Sequence, residues 1–508
     1  MRTLTPAGAF AASLLVLAGA HGANCAVKLP GLLSSHMVLQ REMPIHLWGW
    51  SDPGEKITVE LHGVSRATVG NTIGAWSVYL PPETAGGPYR LTVSAKNEII
   101  LEDILIGDVW FASGQSNMEM PLKGFPGAPL QNSAEEIAHA LQPEIRLINF
   151  PKKAQDFPQR NIDASWTACT PETAANFSAA AYFFGRELNA REHVPIGLID
   201  ATWGGTPAEA WVSLQGIAKD AALMPVFATR AEMMRSQADS QATLAAEKRE
   251  DEAAKKAGQP PPQHAWRPDP SSWAPSWLFN GMVAPATPYA IKGVIWYQGE
   301  SNSRLAFAPM YTKIFPALIA DWRERWREGD FPFLFVQIAN FKSNDGEAWA
   351  VIREAQRRTL AVAHTAMVVT TDIGNPDNVH PADKQTVGAR LALAARALAY
   401  GEKVEDSGPL FRQATTESEG IRVWFDHTGG GLKAGGDTLQ GFEIAGSDGH
   451  FVAAAARIDG NTVVVSGGDV ADPKYVRYGW ANAPSINLFN TDGLPASPFT
   501  SEDEIPPK

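Results

Sequence analysis

Charge is scarce in this sequence. Only 19% of its 508 residues are Asp, Glu, Lys or Arg, and 43 basic side chains stand against 55 acidic ones, a net charge of −12. Lys and Arg cluster nowhere densely enough to form a basic face, which excludes nucleic acid as the main partner. Cysteine is nearly absent. Cys25 and Cys169 are the two present, too few for a disulfide framework, although they can pair in an oxidising compartment. Beyond the first twenty residues no stretch has the ~18 consecutive apolar residues of a membrane span, and no internal repeat is evident. What is plentiful is Gly (44) and Trp (16), within a 44% hydrophobic composition. A coiled coil and a disordered acidic chain are both excluded. A single core rarely grows past about 300 residues, so at least two domains are expected.

Residues 1–23 read as a secretory signal peptide. Arg2 is followed by the apolar run Ala9–Leu17 and the small-residue cleavage site Ala18-Gly19-Ala20, with Ala23 as a second choice. The protein is expected to be exported, to a periplasm or beyond the cell. From 27 to 102, short alternating runs such as Ile57-Thr58-Val59-Glu60-Leu61 are cut by turns, the pattern of a β-sandwich. From 103 to 400 the pattern changes. Buried-type strands (Ile104–Ala112, Ile196–Asp200, Gly293–Tyr297, Phe333–Gln337, Ala366–Thr370) alternate with helical stretches at Ala179–Arg191, Met310–Trp326, Trp349–His364 and Lys384–Tyr400. That alternation predicts an α/β domain whose parallel sheet is covered on both faces. Residues 220–273 break it with a helix-favouring Ala/Glu/Lys/Gln mix and a Pro-rich return, read as a solvated surface excursion. Residues 401–508 are β-rich again, either a terminal domain or strands completing the first sandwich.

Ligands of open α/β sheets bind beyond the carboxyl ends of the strands, so loops leaving those ends carry the chemistry. Ser113-Gly114-Gln115-Ser116-Asn117-Met118 follows the first strand. It resembles a nucleophile elbow around Ser116, with Met118 where the second Gly of that motif would stand; an N-cap serine is the plainer reading. Trp203-Gly204-Gly205-Thr206 follows the second, and paired glycines let a main-chain N–H approach a substrate oxygen, although an ordinary turn needs them too. Trp296-Tyr297-Gln298-Gly299-Glu300-Ser301-Asn302 offers the side-chain amides of Gln298 and Asn302, with Glu300 able to orient a neighbour. Finally, Asp377-Asn378-Val379-His380 sets a carboxylate three residues before an imidazole, the spacing at which an Asp can take the Nδ1–H while Nε2 serves as base. A metal held by Asp372, Asp377, His380 and Asp383 is disfavoured, because no second His and no Cys lies near.

The order Ser, Gly, amide, Asp-x-x-His resembles that of the SGNH hydrolases. The stretches Gly107–Met118, Trp296–Asn302, His380–Gln385, Ser35–Arg41 and Val476–Trp480 resemble the sialate O-acetylesterase-type carbohydrate esterases. The resemblance implies a flavodoxin-like three-layer SGNH hydrolase core between an N-terminal β-sandwich and a C-terminal β-rich segment. It also implies a serine esterase that removes O-acetyl groups from carbohydrates, sialic acid or plant cell-wall glycan, and needs no cofactor or metal. Carried over, Ser116 is the nucleophile, His380 the base and Asp377 its partner. Main-chain N–H groups of Ser116 and of Gly204 or Gly205 form the oxyanion hole. The usual third block is Gly-x-Asn; its departure here leaves the third donor between Gln298, which is favoured, and Asn302. Gln115, Trp203, Glu300 and Asn302 are the candidate substrate contacts. Trp203, Trp211, Trp296 and Tyr297 are either sugar platforms or core, and Arg353 and Arg477 either bind a substrate carboxylate or pair within the fold. The alternative from another class is a secreted carbohydrate-binding protein whose esterase site is vestigial.

Overall fold

The computed structural model describes residues 26–262, 264, 269–344, 346–467, 470 and 472–505, without the side chains of 229–241. The expected signal segment and Cys25 lie outside the described residues. Cys169 is buried, and its thiol donates to the Ala140 carbonyl.

The central sheet contains β1 (Glu98–Gly114), β2 (Gln142–Asn149), β3 (Thr167–Cys169), β4 (Ile196–Thr202), β5 (Gly293–Tyr297), β6 (Phe333–Val336) and β7 (Thr365–Val368). Their spatial order is β7-β6-β5-β1-β4-β2-β3, parallel throughout except for the antiparallel edge pair β2–β3. Without that edge pair the remaining strands run second-first-third-fourth-fifth in chain order. The direction of winding therefore reverses between β1 and β5, and a crevice opens beyond their carboxyl ends.

Side chains alternate across a strand, so a sheet covered on both faces needs apolar residues at every position. Trp110, Ala112, Ile295, Leu334 and Val336 face one side, where α2 (Ala179–Glu192) and α5 (Lys384–Leu398) cover them. Val109, Phe111, Val294, Trp296, Phe333 and Phe335 face the other, under α3 (Tyr311–Trp326) and α4 (Trp349–Thr359). The result is three layers, helix on sheet on helix. A short helix, α1 (Ser116–Glu119), follows β1.

The N-terminal strands form two layers, Ile45–Trp50 with Ala75–Leu80 in one and Lys56–Leu61, Val64–Val69 and Gly86–Ser94 in the other. The first half of β1 pairs antiparallel with Gly86–Ser94, and its last residues are the centre of the parallel sheet. The division expected at 102 thus falls inside one 17-residue strand. Residues Pro225–Lys256 are a single helix, as the composition of the excursion predicts. The C-terminal strands pair among themselves around their own apolar cluster, including Val423, Ile444, Val463 and Tyr478. They form a separate β region and, among the described residues, add no strand to the N-terminal sandwich.

Gly114 ends β1 at φ +132°, and a Cβ there would lie 2.3 Å from the Tyr297 carbonyl oxygen. Gly114→Ala is therefore expected to destabilise the protein by about 3 kcal/mol in urea unfolding, because the strained φ and the contact must both be relieved. A value below ~0.5 kcal/mol, the range of an ordinary surface change, contradicts this geometry.

Candidate active site

The close approach at Gly114 locks the ends of β1 and β5 together, and the Gln115 N–H donates to the Tyr297 carbonyl at 3.0 Å. The next residue, half-buried Ser116, opens α1, where its own N–H has no partner within the helix. The turn after β4 lies against it: a Cβ on Gly204 would be 3.1 Å from the Ser116 Cβ. The Gly204 N–H donates to the Glu119 carboxylate, which also pairs with Lys152 at 2.6 Å. Gly205, at φ +75°, offers its carbonyl to the Trp273 indole N–H at 2.7 Å.

Two amide expectations are corrected by the geometry. Gln298 is fully buried; its Nε2 donates to the Thr206 carbonyl (3.1 Å) and to Asn302 Oδ1 (2.6 Å), so both N–H bonds are occupied and it is not a free oxyanion donor. Asn302 in turn donates to Glu209 at 2.9 Å and accepts from the Ala208 N–H, so it braces the loop after β4. Gln115 is buried as well, with its Oε1 accepting from the Gly299 and Ser301 N–H groups. Gln298 and Asn302 therefore build the wall of the site, and Gln115 is fixed there through its Oε1.

His380 is half-buried against the edge of Phe125. Its pKa is pushed down to about 4, chiefly by burial and further by the Lys384 ammonium. The imidazole is neutral at physiological pH, as a proton acceptor must be. Asp377 is not on its ring: the carboxylate is exposed and bonds Lys342 at 3.1 Å. The remaining members of the disfavoured metal set are also engaged in the protein. Asp372 pairs with Arg390, and Asp383 caps α5 through Thr386.

Asn117 is the junction that brings these loops to one place. Its Nδ2 donates to Glu300 Oε1 at 2.6 Å and to the carbonyl of Val379, the neighbour of His380, at 3.0 Å. Its Oδ1 accepts from Lys384 Nζ at 2.6 Å. One side chain therefore binds the residue after Ser116 to the residue before His380. Glu300 is 8% exposed, its Oε2 is buried without a hydrogen-bond partner, and burial raises its pKa. Asp200, at the end of β4, is pushed up to about 7 by burial despite hydrogen bonds from Thr202 and the Ser178 N–H.

Of the aromatics, Trp211, Trp296 and Tyr297 are fully buried core, while Trp203 is half-buried. Both arginines pair within the fold. Arg353 donates to four backbone carbonyls, and Arg477 bonds Glu502 between the rings of Phe451 and Trp480. The sequence reading missed Asn117, Lys384, Glu119, Trp273 and Arg304. Trp273 ends the segment read as a solvated excursion, yet it anchors Gly205. Arg304 lies over the Trp273 ring at 5.5 Å, exposed and with no acidic partner among the described residues.

A doubly wound sheet whose strand-end loops carry Ser116, Gly204 and His380 is a frame that an ester hydrolase can use, and the comparisons put the chain in the carboxylic ester hydrolases. A carbohydrate acetylesterase from Xanthomonas citri has a similar crystal structure, with TM-score 0.80 at 38% identity over 94% of this chain and 100% of that one. Residues 264–397 match the family model described as a carbohydrate esterase, sialic acid-specific acetylesterase. The sialate O-acetylesterase of Pongo abelii is 32% identical over 438 residues, 78% of this chain and 76% of that protein. The rat sialate O-acetylesterase is 28% identical over 547 residues, 96% of each. The chain belongs to the sialate O-acetylesterase family of carbohydrate esterases, which sets aside the reading as a binding protein with an idle site.

Proposed function

We propose that this carbohydrate O-acetylesterase releases acetate from O-acetylated sialic acid through an acetyl-Ser116 intermediate. The observation that carries the site assignment is the Asn117 junction, which sets Ser116 beside the His380 loop while Gly204 abuts Ser116. Ser116 Oγ attacks the acetyl carbonyl carbon as His380 takes its proton. The tetrahedral oxygen is held by the Ser116 N–H and the Gly205 N–H, since Gly204 already serves Glu119. His380 then protonates the departing sugar oxygen. Water attacks the acetyl group with the same assistance, and acetate leaves as Ser116 regains its proton. The strand order supports a flavodoxin-like SGNH core as the frame. The sequence of residues 1–23 supports export.

In the free enzyme Asp377 stays on Lys342; with substrate bound it completes the set by turning onto the imidazole. The exposed ion pair it leaves is worth at most ~1 kcal/mol, so the rotation is inexpensive. Asp377→Asn is then expected to lower kcat roughly ten-thousandfold, and Lys342→Ala to change it by less than about twofold. Equal, small losses in the two variants would leave Asp377 a surface residue.

The names of the relatives and the unpaired Arg304 support an acidic sugar. Arg304→Ala is expected to raise KM for 9-O-acetyl sialic acid about tenfold, the loss of one charge-assisted hydrogen bond. It is expected to leave 4-nitrophenyl acetate turnover alone. Acetate release from that sugar, acetylated xylan, xyloglucan and pectin by the wild type and Ser116→Ala tests the whole reading. A preference for the neutral polymers overturns the sialic acid assignment.

A further inference from the structure

Lys384 breaks a local rule. It is the first residue of the 15-residue helix α5, where the positive end of the helix dipole favours acids, and it is fully buried. Among the described residues its ammonium has one hydrogen-bond acceptor, Asn117 Oδ1, and it lies 5.3 Å from the centre of the Tyr297 ring. Among the described residues, the carboxylate it reaches through a bonded chain is Glu300, on the far side of the same Asn117 amide. Burial pushes its pKa down to about 7, so it carries its charge across the acid range in which His380 titrates. A buried cation with so few partners among the described residues is unfavourable for stability, so its place calls for a functional reason.

We propose that Lys384 is a positioning residue: working through Asn117, its buried ammonium locks the helix of Ser116 to the loop of His380 and holds the imidazole in its proton-accepting form. The lock follows from orientation. An amide has one acceptor end and one donor end. The cation at Oδ1 and the Glu300 carboxylate at Nδ2 fix which end points where, and this aims the second N–H at the Val379 carbonyl. The electrostatic part follows from placement. Lys384 is four residues along the chain from His380, and a positive neighbour disfavours a second positive charge. The acidic groups on the loops that meet here have partners of their own in the free enzyme: Asp383 bonds Thr386, Asp377 Lys342, Glu119 Lys152 and Glu300 Asn117. The lowered His380 value, with burial its larger cause and Lys384 its second, agrees.

The proposal deepens the Ser116–His380 reading and rests on it, but the two can be tested apart. The acid limb of kcat/KM for the wild type is expected below pH 6, because that profile reports the free enzyme's base. A limb at the ordinary histidine value of 6.5 overturns the proposal. Lys384→Met keeps the length of the side chain and removes the charge. It is expected to move the limb up by about one pH unit and to lower kcat more than it changes KM. Should that variant not fold, Asn117→Asp sets a carboxylate on the ammonium and is expected to move the limb the same way. NMR titration of His380 in the Ser116→Ala protein, with and without Lys384→Met, reads the same shift without any turnover. Folded Lys384→Met protein whose His380 titrates as in the parent rejects the role of Lys384. Unimpaired Ser116→Ala turnover rejects the nucleophile instead.

Discussion

Ser116→Ala is expected to lower kcat for acetate release by roughly a millionfold while leaving the melting temperature and the circular dichroism spectrum unchanged. The size of the loss follows from the loss of the covalent step: without Oγ no acetyl-enzyme forms, and the residual rate belongs to the main-chain donors and to binding. The unchanged stability follows from the structure. Ser116 is half-buried, its hydroxyl has no hydrogen-bond partner among the described residues, and the neighbours that fix α1 are Gln115, Asn117 and Met118. Turnover within tenfold of wild type would remove Ser116 from the chemistry. A fluorophosphonate that labels the wild type and not the variant gives the same answer without a sugar substrate.

Arg353→Met is expected to lower the unfolding free energy by about 4 kcal/mol. Its guanidinium is fully buried and donates at 2.9 Å to the carbonyls of Ile338 and Ala339, and at 2.7 Å to those of Ala481 and Asn482. Burial without a carboxylate partner pushes its pKa down to about 9, yet it stays the donor that these four oxygens share. Methionine fills the volume and leaves the carbonyls unmatched. Two of them lie after β6 and two in the C-terminal β region, so the variant is also expected to expose the junction near Ala481 to protease. A loss under ~1 kcal/mol with unchanged cleavage would show that the carbonyls find other donors.

The same arginine shows where the sequence was legible and where it was not. The buried strands announced themselves because helices cover both faces, which forces unbroken apolar runs such as Gly293–Tyr297 and Phe333–Val336. The loops after them were legible for a related reason: polar and glycine residues directly after such runs stand at the carboxyl ends of a parallel sheet. What a residue touches is a different matter. Arg353 and a substrate-binding arginine look alike in a one-letter string, and only the convergence of two distant loops distinguishes them. Trp296 could have been a sugar platform or core; its alternation on β5 sends it toward α3, among Trp211, Phe315 and Trp322. Gln298 lost its expected role to a partner four residues away, Asn302, because the turn between them folds their amides together. Trp273 had no periodic signal at all. Lys384 had one that went unread, a cation where the first turn of a helix ordinarily carries an acid.

Strand β1 belongs to two neighbourhoods at once, and that has a consequence for how the chain is made. Its first half pairs with Gly86–Ser94, which precede it in the sequence. Its second half pairs with β4 and β5, which end at Thr202 and Tyr297. A ribosome delivers the N-terminal partners first. The front of the strand can thus be zipped into its sandwich while the back still waits for neighbours some ninety to one hundred and eighty residues away, a rough count from those two ends. The sandwich acts as a jig. It can hold the first half of the strand in register before β4 and β5 reach the second.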